Sequence, residues 1–179
     1  MFIQKTNITV DLFKVQESLE TILQKTSWSE KNQIGLTHRK GAENKWHDST
    51  GSLYDRVNNI ELIKESEFTE MNSEIPDYLL SILQQLCDSQ GIEIGRARFM
   101  RLLPNTGLSV HNDTTERYHL VIKTNKHAYI AHTMYAGVMA AACFHMPADA
   151  TFYKVDTTKQ HFVYNGGSEE RIHLVISPK

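Results

Sequence analysis

The pattern of apolar and polar residues changes near residue 92. Before it, two segments show the 3.6-residue spacing of amphipathic helices. The first runs from Asp11 to Lys25 and begins with an aspartate that can act as N-cap. The second runs from Pro76 to Gln90, with a proline suited to the first helical position and Gly91 suited to the exit. The polar stretch between them predicts loops with a short strand around Gln33 to Leu36.

After residue 92 the pattern predicts strands, separated by Pro, Gly and an Asn-Gly-Gly segment. Two of them are near-repeats, Arg-Tyr-His-Leu-Val-Ile and Arg-Ile-His-Leu-Val-Ile, which indicates equivalent environments such as a double-sheet roll supplies. The predicted fold is mainly β with N-terminal helices (α+β), a sandwich or small barrel. The predicted strands are Ile92 to Leu103, Arg117 to Thr124, Ala128 to Tyr135, Thr151 to Val155, His161 to Tyr164 and Arg171 to Ser177.

Composition is that of an ordinary globular protein. The 179 residues fit a single domain, 1–179, with a helical and loop part over 1–91 packed on a β part over 92–179. Nineteen Lys and Arg against 21 Asp and Glu give a net charge of −2, which argues against a nucleic-acid partner. Two cysteines match no disulfide framework or zinc spacing, whereas nine histidines make imidazole and carboxylate the expected metal ligands.

No segment predicts export or membrane insertion. Met1 to Phe13 lacks the apolar core of a signal peptide. The longest apolar stretch, Tyr135 to Phe144, is about half of the ~20 residues needed to span a bilayer. We therefore expect a cytoplasmic protein with no membrane partner, whose oligomeric state the sequence leaves open.

One short motif carries candidate metal chemistry. His111 and Asp113 are two residues apart, so on an extended chain both side chains point to the same face and can reach one ion. The alternative is a strand-end histidine followed by an aspartate in a turn.

A second motif adds a histidine and an arginine. His161 precedes Asn165-Gly166-Gly167, a hairpin signal. A hairpin centred on Gly166 sets His161 opposite Arg171, about 5 Å apart at Cβ. A register slip of one residue would send the two side chains to opposite faces.

Together these residues match the two-histidine, one-carboxylate site of non-haem Fe(II) oxygenases. Three protein ligands from His111, Asp113 and His161 would leave three positions for a 2-oxoacid and dioxygen. The Arg171 guanidinium could pair with the far carboxylate of 2-oxoglutarate. The predicted metal and co-substrate are therefore Fe(II) and 2-oxoglutarate.

The combination resembles the aspartyl/asparaginyl β-hydroxylase family over about residues 96 to 177. The resemblance implies a double-stranded β-helix core (jelly-roll, cupin-like) with supporting helices. It implies iron at His111, Asp113 and His161, 2-oxoglutarate at Arg171, and further co-substrate contacts from Arg117 and His119. The motifs that carry the resemblance are Arg98–Pro104, His111–Asp113, Arg117–Leu120 and the segment from His161 to Ile176.

The resemblance implies hydroxylation of an amino-acid side chain, aspartyl, asparaginyl or prolyl, free or in a peptide, with release of succinate and CO2. Residues 1 to 90 match no family we recognise, and substrate selection is expected there. A cupin-like module that binds metal or a small ligand without oxidative turnover is the alternative, and it would not need Arg171. An oxygenase of nucleic-acid bases is disfavoured by the near-neutral charge.

The remaining candidates receive structural interpretations. Arg96 and Arg98 are expected on a solvated strand face, with a pocket for an acidic substrate as the alternative. His173 shares a face with Arg171 and is either a hydrogen-bonded core histidine or a ligand-binding residue. No special role is expected for the other histidines, His38, His47, His127, His132 and His145.

Overall fold

The computed structural model describes residues 1–55, 57–58, 60–135 and 138–179. Within these ranges the chain is mainly β, with two α-helices, α1 (Leu12–Leu23) and α2 (Asp77–Gln90), as predicted in outline. The strands in the described ranges are β1 (Ile3–Thr9), β2 (Gln33–Gly35), β3 (Thr37–His38), β4 (Tyr54–Asp55), β5 (Ile60–Glu61), β6 (Glu70–Met71), β7 (Ile94–Leu102), β8 (Thr106–His111), β9 (Arg117–Lys123), β10 (Ala128–Tyr135), β11 (Val138–Phe144), β12 (Thr151–Val155), β13 (His161–Asn165) and β14 (Arg171–Pro178).

In those same ranges no helix is long and apolar enough to cross a membrane. Two residues of the apolar stretch Tyr135 to Phe144, numbers 136 and 137, lie outside the described residues.

Both helices form where the apolar spacing predicts them. The side chain of Asp11 caps α1 by accepting a hydrogen bond from the backbone N–H of Lys14. Helix α2 ends at Gly91, whose φ of 63° is a left-handed conformation that glycine adopts without strain. Pro76 is the N-cap of α2 rather than its first helical residue, one position from the prediction.

The described chain forms two compact units. The first consists of Met1–Thr9 and Arg101–Leu174, and the second of Val10–Met100 and Val175–Lys179. The sequence analysis assigns no strand to the N-terminal segment, but β1 pairs antiparallel with β12 in the first unit. It also misses β8, the strand that ends at His111.

The first unit contains strands of two sheets. One has the order β1-β12-β9-β14, and the other has the order β11-β10-β13-β8. Their packing buries an apolar cluster to which both sheets contribute, since Val121 and Val155 come from the first and Ile130 and Val163 from the second. Phe2, just before β1, joins the same cluster.

The near-repeat marks two neighbouring strands. Strands β9 and β14 lie side by side in the sheet, and almost all of their residues are buried. Strands buried on both faces have nearly continuous apolar sequences, which explains the shared Leu-Val-Ile. The prediction of equivalent environments is confirmed.

The predicted hairpin between His161 and Arg171 is wrong. Strands β13 and β14 belong to different sheets, so these two residues are not cross-strand neighbours. The glycines of Asn165-Gly166-Gly167 are not among those with positive φ, which the tight Asn-Gly turn requires. Instead, the buried Asn165 side chain donates to the carbonyls of Leu102 and Glu169 and anchors a five-residue connection, 166–170, between the sheets.

The second unit contains both helices, which pack on each other, and the pairing of β2 with β7. The expectation of a solvated strand face for Arg96 and Arg98 is wrong, because both side chains are buried. Arg96 forms a bidentate ion pair with Glu65, with N···O distances of 2.7 and 2.8 Å. Arg98 donates to the side-chain oxygen of Gln33 at 3.1 Å. Both arginines therefore have partners inside this unit.

We expect Glu65→Ala to destabilise the protein by about 3–5 kcal/mol, because it leaves the Arg96 charge buried without its carboxylate. Urea unfolding measures the change. The control is Glu74→Ala, which breaks the exposed ion pair to Lys25 at 3.5 Å and should cost less than about 1 kcal/mol. Equal effects of the two substitutions would contradict the structural role of the buried pair.

Candidate metal centre

Two imidazoles meet where β8 ends and β13 begins. His111 and His161 are direct partners across this antiparallel pair, and the register shifts immediately beyond them. Their ring centroids are 4.3 Å apart. Cross-strand pairing, rather than a hairpin with β14, is what brings His161 into the site.

Asp113 reaches the same point from the loop after β8. Its backbone N–H donates to the carbonyl of Thr157 at 2.8 Å. The buried Thr157 hydroxyl donates to the carbonyl of Thr115 at 2.7 Å. These two bonds hold the loop after β8 against the loop before β13.

Hydrogen bonds determine which nitrogen of each histidine can bind a cation. Nδ1 of His111 lies 2.7 Å from the carbonyl oxygen of Ser109, and Nδ1 of His161 lies 2.9 Å from that of Lys159. A carbonyl oxygen only accepts, so in both rings Nδ1 carries the proton. The lone pair of a neutral ring is then on Nε2, the arrangement typical of metal-binding histidines.

The distances suit a single divalent ion. Nε2 of His111 lies 3.9 Å from Oδ1 of Asp113, and Nε2 of His161 lies 3.8 Å from Oδ2. One ligand atom from each of the three residues lies within 4.8 Å of the others. Two ligands on bonds of about 2.1 Å are at most about 4.2 Å apart, and both histidine–aspartate distances lie within this limit, so each imidazole can share an ion with Asp113.

Burial favours the metal-binding form of His161. His161 is 2% exposed. Burial, together with the nearby His111 and Arg117, lowers the pKa of His161 against the opposing effects of the Lys159 carbonyl and Asp113. The neutral imidazole is the form that binds a metal.

Arg117 contacts one of the candidate metal ligands. Its guanidinium donates to Oδ1 of Asp113 at 2.8 Å. This contact orients the carboxylate toward the two imidazoles. The co-substrate contact predicted for Arg117 stays a prediction.

A second polar cluster lies in the strands that carry the near-repeat. Arg171, His173 and His119 are all buried. Nη2 of Arg171 is 3.0 Å from Nδ1 of His173, and Nδ1 of His119 is 3.4 Å from that same nitrogen. Of the two interpretations of His173, the structure agrees with the hydrogen-bonded core histidine.

The charge of Arg171 is not matched by a protein acid. Burial lowers its pKa to about 9, and no carboxylate raises it. Among the described residues, none forms an ion pair with this guanidinium. A buried cation without a counter-ion is costly, and the arrangement suits an anion that comes from outside the chain.

The comparison with known families agrees with this chemistry. The sequence profile described as aspartyl/asparaginyl beta-hydroxylase matches residues 11–178. The chain belongs to this family. The predicted family is therefore confirmed, and a family of hydroxylases agrees with the predicted enzyme class.

The family match also corrects one expectation. It begins at residue 11, so the N-terminal half, for which the sequence analysis found no relative, belongs to the family as well. No curated protein sequence matches the chain.

Two solved structures are similar to part of this hydroxylase-family chain. A 2OG-Fe(II) oxygenase family oxidoreductase from Burkholderia pseudomallei has 17% identity and a TM-score of 0.46, over 60% of this chain and 57% of its own. A prolyl-4-hydroxylase from Pseudomonas putida has 12% identity and a TM-score of 0.40, over 57% and 63%. The similarity spans less than two thirds of either protein.

Two residues at the centre are not identified by the sequence analysis. His132 is the cross-strand partner of His161 on β10, and the ring of Phe2 stacks on it with centroids 4.8 Å apart. The ring of Phe2 also lies 6.4 Å from that of His161. The pairing register of β10 and β13, had it been predicted, would have placed His132 beside His161. Nothing in the local sequence around Phe2 indicates that it lies near the candidate metal ligands.

We expect His161→Ala to weaken metal binding by more than about 100-fold, since loss of a group that merely supports a ligand already costs roughly 10–100-fold. Anaerobic titration with Fe(II), or with Co(II) followed by its visible spectrum, measures the affinity. The matched control is His127→Ala, which removes an exposed histidine and should leave binding unchanged. An unaltered affinity in the His161 variant would remove this residue from the metal site.

Proposed function

We propose that this protein is an Fe(II)- and 2-oxoglutarate-dependent dioxygenase that hydroxylates an amino-acid side chain. The substrate group is aspartyl, asparaginyl or prolyl, free or in a peptide. Succinate and CO2 are the co-products. The proposal rests on the convergence of the imidazoles of His111 and His161 with the carboxylate of Asp113, which is the ligand set of non-haem Fe(II) oxygenases.

His111, Asp113 and His161 would hold the iron through two Nε2 atoms and the carboxylate. The bound iron would activate dioxygen, which is the oxidant, and 2-oxoglutarate would supply two electrons and become succinate and CO2. The chain's part is to orient these groups. The carbonyls of Ser109 and Lys159 fix both rings in the tautomer that binds metal, and Arg117 orients the carboxylate.

Arg171 is the proposed partner for the distal carboxylate of 2-oxoglutarate. The supporting observation is its burial without a protein acid. A guanidinium can donate two parallel hydrogen bonds to a carboxylate. His119, in the adjacent strand, is proposed as a further contact to the co-substrate.

The fold that we propose for the core is the double-stranded β-helix. The supporting observation is the exchange of strands between sheets, since β8, β10, β11 and β13 share one sheet while β9, β12 and β14 share the other. We propose that residues 1–179 act as a single oxygenase domain of the cytoplasm, with no nucleic-acid partner.

The second candidate function is a cupin-like protein that binds metal or a small ligand without turnover. It would keep the three metal ligands but has no use for a buried arginine without a counter-ion. Membership of a hydroxylase family also favours the oxygenase.

We expect Arg171→Ala to raise the dissociation constant for 2-oxoglutarate by at least about 30-fold, the equivalent of roughly 2 kcal/mol for removing one partner of a buried charged pair. The measurement is an anaerobic titration of the Fe(II)-loaded protein, followed through the visible charge-transfer band of a chelated 2-oxoacid.

The control for this titration is Arg101→Ala, which removes an arginine placed 3.8 Å from Glu170. It should leave the affinity for 2-oxoglutarate unchanged. A wild-type protein that binds iron but develops no such band would refute the co-substrate assignment.

The substrate is best sought by succinate release across free amino acids and short peptides, with mass spectrometry for a gain of one oxygen atom. We expect release to be stimulated by an aspartyl, asparaginyl or prolyl compound and abolished in the His161→Ala variant. Iron and 2-oxoglutarate binding without stimulated turnover on any of these groups would contradict the proposed substrate class.

A further inference from the structure

His173 is a buried histidine whose role the proposed metal centre leaves open. His173 is 1% exposed and lies two residues after Arg171 on β14, on the same face of the strand. Its Nδ1 is 3.0 Å from Nη2 of Arg171. It is therefore in direct contact with the proposed carboxylate-binding group.

The hydrogen-bonding chemistry defines the state of this ring. A guanidinium has only donors, so Nδ1 of His173 must accept and carries no proton. Burial, and then the charge of Arg171, with further effects of His119 and His145, hold the pKa of His173 far below its ordinary range. The ring is thus neutral, and its single proton is on Nε2.

The proton on Nε2 of His173 has no acceptor in the part of the chain that the structure describes. Nε2 of His173 is buried and has no hydrogen-bond partner among the described residues. A buried donor without an acceptor costs stability. An apolar residue would avoid this cost, so the histidine here is better explained by what its other nitrogen does for Arg171.

The partner of an anion-binding arginine has to meet two requirements. It must fix the guanidinium, since a long side chain with several rotamers loses entropy when it binds a ligand. It must also leave the positive charge available, which an aspartate or glutamate would not do. A neutral imidazole acceptor meets both requirements.

We propose that His173 is a positioning residue for Arg171: as a neutral acceptor it orients the guanidinium toward the distal carboxylate of 2-oxoglutarate without neutralising its charge. This inference rests on the proposed function, since it assumes that Arg171 binds that carboxylate.

The test compares two substitutions of nearly the same shape. In His173→Asn, Oδ1 takes the place of Nδ1 and the acceptor stays neutral. In His173→Asp, the acceptor is similarly placed but carries a charge, because the adjacent Arg171 keeps the carboxyl group ionised. The pair therefore differs mainly in whether the guanidinium is neutralised.

Each variant, loaded anaerobically with Fe(II), is titrated with 2-oxoglutarate and with 2-oxovalerate, which lacks the distal carboxylate. We expect the Asn variant to bind 2-oxoglutarate within about threefold of wild type and the Asp variant at least about 30-fold more weakly. The Asp variant should also lose its preference for 2-oxoglutarate over 2-oxovalerate. Iron affinity should be unchanged in both, and a residue that only packs would not alter this preference.

The controls are His127→Asn and His127→Asp, which make the same chemical changes at an exposed histidine and should have no effect. Equal affinities of the Asn and Asp variants at position 173, whether both strong or both weak, would overturn the positioning role. If the Asp variant does not fold, His173→Leu replaces it. The Leu variant should then bind 2-oxoglutarate more weakly than the Asn variant, and equal binding by these two would overturn the proposal.

The same titrations distinguish an error in the proposed function from an error in the role of His173. If the proposed function were wrong, the wild-type protein would not bind 2-oxoglutarate, or Arg171→Ala would bind it as tightly as wild type, whatever stands at position 173.

Discussion

The pairing of β8 with β13 is the constraint on which the candidate site depends. It sets His111 directly opposite His161, and the bond from Asp113 to the Thr157 carbonyl adds the carboxylate from the adjoining loop. The ligand atoms thus come from backbone that two strands and one loop-to-loop contact hold in place. Sites built on strands hold their side chains more precisely than sites on loops, so this pairing favours a defined geometry at the candidate metal centre.

Around these ligands, charge is distributed unevenly between two arginines. Arg117 contacts the carboxylate of Asp113, so its charge is used within the protein. Arg171 is buried beside the neutral His173 and no protein acid neutralises it. The Arg117 cation therefore orients a candidate metal ligand, while the Arg171 cation remains available to an anionic ligand. The net charge of −2 is consistent with a protein whose functional positive charges, those of Arg117 and Arg171, lie at its site and not in a basic surface patch.

Local sequence information predicted the elements well where periodicity was strong. Helix α1 and strands such as Ala128–Tyr135 lie where their patterns place them. The His-x-Asp motif needed only the geometry of an extended chain to bring two ligands together. What failed was inference about pairing: Asn165-Gly166-Gly167 has the composition of a tight turn, yet the tertiary bonds of the Asn165 side chain make it a connection between two sheets. Likewise, Arg96 looked solvated because its acid, Glu65, is 31 positions away in the sequence.

The central claim is that one metal ion lies among His111, Asp113 and His161 and that Arg171 receives the far end of the co-substrate. Crystals grown anaerobically with Mn(II) in place of iron, and with 2-oxoglutarate, test it directly. The account predicts an anomalous-scattering peak bounded by the two imidazoles and the Asp113 carboxylate, with the distal carboxylate of 2-oxoglutarate on the Arg171 guanidinium. A peak bound by other residues, or a co-substrate whose distal carboxylate lies away from Arg171, would contradict it.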